Sequence, residues 1–546
     1  MKFKINYFFY FFSCLVIIPF IFHFIYSSYG FNPTDDGLFL SASKRIINGE
    51  IPHLDFISVR PAGSALLHII EVLYAGDHLY YITRLLVWFQ FSAISFFWME
   101  IIKKVCLLKS KYFFDIIVIT ISIMFCSHTF PIMSNPTIDG IFFCSLGIYF
   151  ITYNNYKLKT LGYFLLGCSL LFKQSFLFVP FLVLLIFDDY KNLKFIFVTS
   201  IASIIYLLAL VSLGAVSDFM IQISSVDASI VQIGIISFFT NKYIYLGIFI
   251  AVLLSIFKNT NKISYNTKLV LLYFFTIIIS MALYQIEQKI GSSGIFWIVS
   301  FILLGISMGL LIIDLMLSSN FQKNTIKIML LVYIISWSVT LSKGYSTPAL
   351  FSGVLFISVV SFLGASYPLA SNNKEKIFTF ILLILFIGIY DYSRKNYVYR
   401  DRPSKELTFK LNNILPGGNN ILTNKDTFLV IKEIKTLTKK YNNEKIAIIP
   451  DYPGYWAASE INNPLPADWL QKVEVPNGAP YNKLTESINN IASSGIIIMQ
   501  KYSMHNLNKG LDLIQESNYH PIISFVKQNV EKIDESEYYE IYSNKY

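Results

Sequence analysis

Charge is what this sequence most lacks. Only 14% of its 546 residues are Asp, Glu, Lys or Arg, where a soluble domain carries about 25%. With 54% hydrophobic residues and a mean hydropathy of +0.54, the chain reads as a polytopic membrane protein. Cysteine is also rare. Cys14, Cys106, Cys126, Cys144 and Cys168 all fall in or beside apolar runs. No disulfide framework or Cys-based metal site is therefore implied for the C-terminal region. Acids are fewer than bases, 34 against 44. In a soluble chain the net charge of +10 would suggest nucleic acid. Here Lys and Arg gather in short loops on one side, which accounts for the excess without a nucleic-acid partner. No internal repeat and no inverted pseudo-symmetry is visible, which counts against a transporter built from repeats.

What the sequence has in abundance is apolar runs of membrane-spanning length. Apolar length predicts about thirteen transmembrane helices: 7–27, 79–102, 113–130, 138–153, 160–172, 175–187, 195–213, 243–257, 268–285, 294–316, 327–341, 349–368 and 377–391. The first is too long for a signal-peptide core and lacks a small-residue cleavage site, so it is expected to remain as a span. The fifth and sixth are short enough to be broken or re-entrant. With the N-terminus in the cytoplasm, inner segments carry clusters such as Lys103, Lys104, Lys109 and Lys111, or Lys157 and Lys159. The short outer loops carry Lys173, Lys242, Lys289 and Lys343. That bias predicts the orientation, and it places the segment after Asp391 outside.

The chain then divides into a helical membrane domain, 1–391, and an extracytoplasmic domain, 392–546. In the latter, strand-length apolar runs (Lys445–Ile449, Gly495–Met499, Pro521–Val526, Tyr538–Tyr542) alternate with helical stretches at Phe428–Tyr441 and Leu484–Ser493. That alternation predicts a small α/β domain.

The polar loop 28–78 between the first two spans holds the chemistry-bearing candidates. Asp35 and Asp36 open it in NPTDDG. Spacing alone leaves two readings open. Thr34 and the two aspartates can cap the following helix, whose dipole favours negative charge. Alternatively, one is a general base and the other orients it or tunes its pKa. An amphipathic helix follows, with Leu38, Phe39, Ala42 and Ile46 expected on one face and Lys44 and Arg45 turned away. Asp139, in SNPTIDGIFF, begins the fourth span on the same side of the membrane, and an ionisable group at membrane depth is a functional candidate. Arg60, Arg84, Lys173 and Lys343 are outward cations, each able to serve as an interfacial anchor. Lys173, inside GCSLLFKQSFLFVP, is the costliest to bury and calls for a partner or an anionic ligand such as phosphate. His53 and Asp55, in IPHLDF, have the form of a His-x-Asp metal pair, a weak signal without further ligands.

Taken together these residues resemble the GT-C superfamily of polytopic glycosyltransferases, near the protein O-mannosyltransferase and lipid A aminoarabinose transferase type. The resemblance rests on Asp35-Asp36, then Gly49-Glu50-Ile51-Pro52-His53-Leu54-Asp55-Phe56, then Arg60-Pro61. It extends through Arg84, Asp139, Lys173-Gln174, LSKGYSTPALFSG (Leu341–Gly353, with Lys343 and Tyr345) and PDYPGYWAASEINNP (Pro450–Pro464). The departures are Asp36 where Glu is commoner and a single Pro before Ala62 where two are usual. The order of the motifs carries the resemblance; no one of them is specific.

The resemblance implies a glycosyltransferase that moves a sugar from a polyprenyl-phosphate donor to an extracytoplasmic acceptor, a cell-envelope glycan such as O-antigen or a lipid. It implies a single inverting displacement in the plasma (inner) membrane. Asp35 would be the acid–base position, with Asp36 and Asp139 its acidic companions. Arg60, Arg84, Lys173, Gln174, His53, Asp55, Lys343 and Tyr345 would line the substrate site. Some relatives use a divalent metal and others none, so no cofactor is specified. The competing readings are an O-antigen-type polymerase, which normally keeps its large outer loop mid-chain, and a lipid-linked sugar transporter or flippase.

Overall fold

The computed structural model describes residues 2–108, 110–127, 132–225, 228–259, 294–317, 323–341, 346–364, 373–442, 444–504, 507, 510–516, 519 and 521–545. Every run expected to span, apart from 268–285, which lies outside the described residues, falls on a helix. Four helices are long and apolar enough to cross a membrane by length and composition: Ile5–Tyr26, Gly76–Val105, Leu193–Ser212 and Gln232–Ser255. Shorter apolar helices lie at Gly63–Tyr74, Tyr112–Ser127, Pro136–Ile151, Gln174–Ile186, Ile298–Ile313 and Ala349–Phe362. A helical, membrane-embedded chain is what these elements support; among the described residues four helices meet the full length and composition requirement. The central element is the 27-residue helix Leu79–Val105. At 1.5 Å per residue it runs for about 40 Å, more than the hydrocarbon thickness. Trp88, Phe91 and Trp98 on this helix join one continuous apolar core with Ile119, Ile141 and Val354.

Between the fifth and sixth runs the helix is interrupted. Helix Tyr156–Cys168 ends in a 3-10 turn, Lys173 is extended (φ −156°, ψ 139°), and a second 3-10 turn leads into Phe178–Ile186. Lys173 therefore sits on an interrupted backbone rather than on a helix flank.

The C-terminal region contains a three-layer α/β domain. Its strands are β1 (Phe409–Lys410), β2 (Leu422–Thr423), β3 (Lys445–Ile449), β4 (Gly495–Gln500), β5 (Tyr502–Ser503), β6 (Asp512–Leu513), β7 (Lys532–Glu535) and β8 (Tyr539–Tyr542). The main sheet has the order β3-β4-β8-β7, with β3 and β4 parallel and the other pairings antiparallel. β3 and β4 are apolar on both faces because both faces are covered. Ile446, Ile448, Ile496 and Ile498 pack with Val430, Ile431 and Ile434 of helix Lys425–Lys440. Ala447, Ile449, Ile497 and Met499 pack with Leu484, Ile488 and Ile491 of helix Ala479–Ser494. One expectation fails: Pro521–Val526 is not a strand but the start of helix Ile522–Asn529. Ile522, Ile523 and Val526 are its buried residues, a spacing of one and four that suits a helix and not a two-residue repeat.

The two halves of the chain share a core. Phe31 and Leu40 of the first loop, with Leu79 and Tyr80, belong to the same buried cluster as β3, β4 and helix Lys425–Lys440. Backbone hydrogen bonds join them as well: Gly30 N–H to Leu422 O (2.9 Å), Leu422 N–H to Ser28 O (2.7 Å) and Ile57 N–H to Pro466 O (2.7 Å). The boundary drawn near residue 391 is thus not a boundary in packing. The loop is folded into the C-terminal domain.

Candidate functional site

Asn32 builds the turn that presents Asp35. Its Oδ1 accepts from Asp35 N–H (2.9 Å) and Thr34 N–H (3.2 Å), and also from the Thr34 hydroxyl. This is the side-chain turn that asparagine forms readily. Asp36 closes it from the other side, its Oδ2 accepting from Asn32 N–H at 2.8 Å. The helix beyond, Leu38–Ile47, has Gly37 at its N-cap and no side-chain capping bond. The capping reading of Thr34, Asp35 and Asp36 is therefore corrected: no side chain caps the helix, and the two aspartates bond instead to Asn32 N–H, Arg84 and Arg400.

The two aspartates face different ways. Asp36 is buried against Arg84, with Nη2 3.1 Å from Oδ1. Burial pushes its carboxyl upward, while Arg84 and the Asn32 N–H pull it back. Arg84 also donates to the carbonyls of Ser27 (2.7 Å) and Gly30 (2.7 Å). It anchors the loop from a buried position. Asp35 points outward to Arg400 Nη1 (2.6 Å) and the Tyr399 hydroxyl (3.2 Å). Its side chain keeps 14% exposure, so one carboxylate of the pair remains accessible. Beside Asp36 a small cleft of about 30 Å³ is lined by Tyr26, Asn32, Asp36, Arg84, Arg394 and Tyr399.

Asp139 belongs to a separate, buried network. It accepts from Ser64 Oγ (2.7 Å) and Gln90 Nε2 (2.8 Å) and lies 3.4 Å from His68 Nε2, while His68 Nδ1 lies 2.7 Å from Glu71. These contacts fix the short helices Gly63–Leu67 and Ile69–Tyr74 onto Pro136–Ile151. They do not bring Asp139 to Asp35.

Of the expected cations, Arg60 forms a fork with Glu474 at 2.8 Å on both arms. Its guanidinium lies over Phe39, 5.8 Å from the ring centroid. Lys173 Nζ donates to Thr137 Oγ1 at 3.1 Å. Among the described residues no carboxylate lies within ion-pair distance of it. Burial, with the nearby charge of Arg60, brings its pKa down to about 7. Arg60 in turn is within electrostatic reach of Asp35. Gln174 Nε2 donates to Val59 O at 2.6 Å, tying the segment beside Lys173 to the one that carries Arg60. Lys343 and Tyr345 lie outside the described residues.

His53 and Asp55 do not form a metal pair. His53, at a positive φ of 70°, spends both ring nitrogens on Tyr206 (2.8 Å) and Gln222 (3.2 Å), and burial lowers its pKa. Asp55 Oδ2 accepts from Ile51 N–H at 2.6 Å, closing its own turn. Among the described residues no three His, Cys, Asp or Glu side chains gather as a metal site.

On the helix Leu38–Ile47 the four apolar residues do share a face, and it is the opposite face that packs inward. Its buried residues are Leu40, Ser41, Ser43 and Arg45, while Leu38, Phe39, Ala42 and Ile46 are partly exposed. Arg45 is drawn inward by Asp468 (2.9 Å to each oxygen), Glu50 (2.6 Å) and Leu465 O (2.7 Å). Arg400, Tyr399, Glu474 and Asp468, all in the C-terminal region, were missed because their partners lie hundreds of residues away. A cluster of Arg394, Lys395, Arg400 and Arg402 after the last apolar run was the available signal.

No family model, no curated protein and no solved structure matches the chain.

Proposed function

We propose that this chain is a membrane glycosyltransferase that moves a sugar from a polyprenyl-phosphate donor onto a hydroxyl-bearing, extracytoplasmic glycan or lipid. The observation that carries the reading is Asp35: a carboxylate freed from helix capping, held by Arg400 and Tyr399, and still partly exposed. Lys173, with Thr137 as its hydrogen-bond acceptor and no carboxylate within ion-pair distance among the described residues, supports an anionic substrate, because a phosphate would compensate the buried ammonium. In this reading Asp35 accepts the proton of the acceptor hydroxyl. The acceptor oxygen bonds to the anomeric carbon as the bond from that carbon to the phosphate oxygen breaks, and the polyprenyl phosphate leaves with the electron pair. Phosphate is a competent leaving group, so the protein has to supply positioning, charge neutralisation and a base.

An apolar donor tail also gives a reason for a membrane scaffold, and the lysine bias of the loops supports an outer placement of loop 28–78 and of the C-terminal domain in a plasma (inner) membrane. The test is Asp35→Asn, checked for normal accumulation and assayed with radiolabelled polyprenyl-phosphate sugars. Transfer is expected to fall by roughly 10²–10⁴-fold, the contribution of a positioned base. Wild-type rates in the variant would remove the assignment.

A further inference from the structure

The helix Lys425–Lys440 buries one face and charges the other. Val430, Ile431, Ile434 and Leu437 pack against β3 and β4, while Lys425, Lys432 and Lys439 are exposed. Each stands two turns from the next, so the three ammonium groups line one side of the helix over about 21 Å. The acids of the same helix are engaged elsewhere. Asp426 pairs with Arg402 at 2.7 Å, and Glu433 Oε1 accepts from Tyr538 N–H at 3.0 Å. Of the other lysines, Lys440 is held by Asp534 at 2.6 Å and Lys435 by the carbonyl of Asn413. Among the described residues no carboxylate lies within ion-pair distance of Lys425, Lys432 or Lys439.

Helix stability does not call for this arrangement. Lys425 directly follows the Asn424 N-cap, where the helix dipole disfavours a cation. Lys435 and Lys439 are one turn apart, a like-charge spacing that opposes the helix. The stripe also has a direction. Asn424 Nδ2 donates to Asp401 Oδ1 at 2.6 Å, and Asp401 Oδ2 accepts from Phe31 N–H at 3.3 Å. With the Arg402–Asp426 pair, these contacts fix the first turn of the helix to segment 400–402, whose Arg400 holds Asp35 at 2.6 Å. The lysines therefore run outward from the candidate site along the C-terminal domain.

We propose that this stripe is a track for the acceptor, and that the acceptor is an anionic glycan. Its carboxylates or phosphates lie along Lys425, Lys432 and Lys439 while its end reaches Asp35. A row of exposed, separately hydrated cations suits a long polyanion, because contacts that are individually weak add along one chain. The inference rests on the transferase reading for the acceptor's role, but the track is tested without turnover.

The experiment measures binding of fluorescein-labelled polygalacturonate, with labelled dextran as the neutral counterpart, to the full chain in phosphatidylcholine discs without donor. Wild type should bind polygalacturonate in preference to dextran, and more weakly as salt is raised. The triple variant Lys425→Gln, Lys432→Gln, Lys439→Gln should lower that affinity roughly tenfold or more, each exposed ion pair contributing roughly two- to fivefold. Removing the same charge elsewhere, with Lys472→Gln, Lys527→Gln and Lys532→Gln, should leave it unchanged. Equal binding by wild type and the stripe variant, or an equal loss in the two triple variants, overturns the track. So does protection of the three lysines from acetylation in phosphatidylglycerol discs without glycan, relative to phosphatidylcholine discs, which would make the face a membrane-binding surface. If binding depends on the stripe while no polyprenyl-phosphate sugar is consumed, the transferase reading fails and the glycan track stands.

Discussion

Replacing Arg45 by methionine should detach the loop helix from the C-terminal domain. Arg45 is 5% exposed and makes four hydrogen bonds, three of them to the carboxylates of Asp468 and Glu50. Methionine retains most of the stem volume but leaves Asp468, whose side chain is 6% exposed, as an uncompensated buried charge. Breaking one partner of such a pair costs about 3–5 kcal/mol, which raises the open population by roughly 100- to 4,000-fold. The assay is pulse proteolysis of the reconstituted protein across a urea series, read as cleavage within 28–78 and 460–475. The double variant Arg45→Met with Asp468→Leu should recover most of the loss, giving a coupling of about 2 kcal/mol or more.

The same clamp has a pH signature. Burial alone would raise the Asp468 carboxyl, but Arg45 outweighs it and holds the pKa below the usual aspartate value. An acid depressed by folding contributes stability that is complete above its unfolded pKa of about 3.9 and lost as pH falls through the folded value. Protection should therefore fall away below about pH 4 in wild type and lose that dependence in Asp468→Asn. Single variants that open no faster than wild type, or a double variant that is no better than either single, would refute the reasoning.

Two further outcomes follow from the site. Lys173, brought down to about 7, should lose charge as pH rises through that value. Binding of a polyprenyl phosphate, measured by isothermal titration, should weaken by roughly tenfold between pH 6 and pH 8, whereas Lys173→Gln should bind weakly and flatly across that range. Gly454→Ala would put a Cβ 2.7 Å from Pro33 O. That overpacking should cost about 1–3 kcal/mol and show as faster amide exchange in residues 31–37.

Much of the architecture was readable because long apolar runs have few alternatives. The helices along the membrane region and strand Lys445–Ile449 were placed from local pattern, and both depend on nearest neighbours in sequence. Pro521–Val526 was misassigned because a six-residue apolar run suits either period, and only the burial of Ile522, Ile523 and Val526 decides. The site was legible in part. Asp35 stood out as an acid beside a span, but its orientation depends on Asn32, a residue whose role in the turn no spacing rule isolates. Arg45 reads only as turned away from the apolar face, and its burial is dictated by Asp468, 423 residues later. Long-range ion pairs of this kind leave no periodic trace.

The shared core of the first loop and the last strands sets an order for biosynthesis. Phe31 and Leu40 emerge early, yet the cluster that covers them also contains Ile541 of β8. At 5–20 residues per second, the ribosome needs on the order of 20–100 s to make the intervening chain. Arg400 follows Asp35 by 365 residues, so the ion pair can form before β8 is made, whereas Phe31 and Leu40 lack part of their cover until Ile541 emerges. A product that stops short of β8 therefore carries the loop without its full apolar packing.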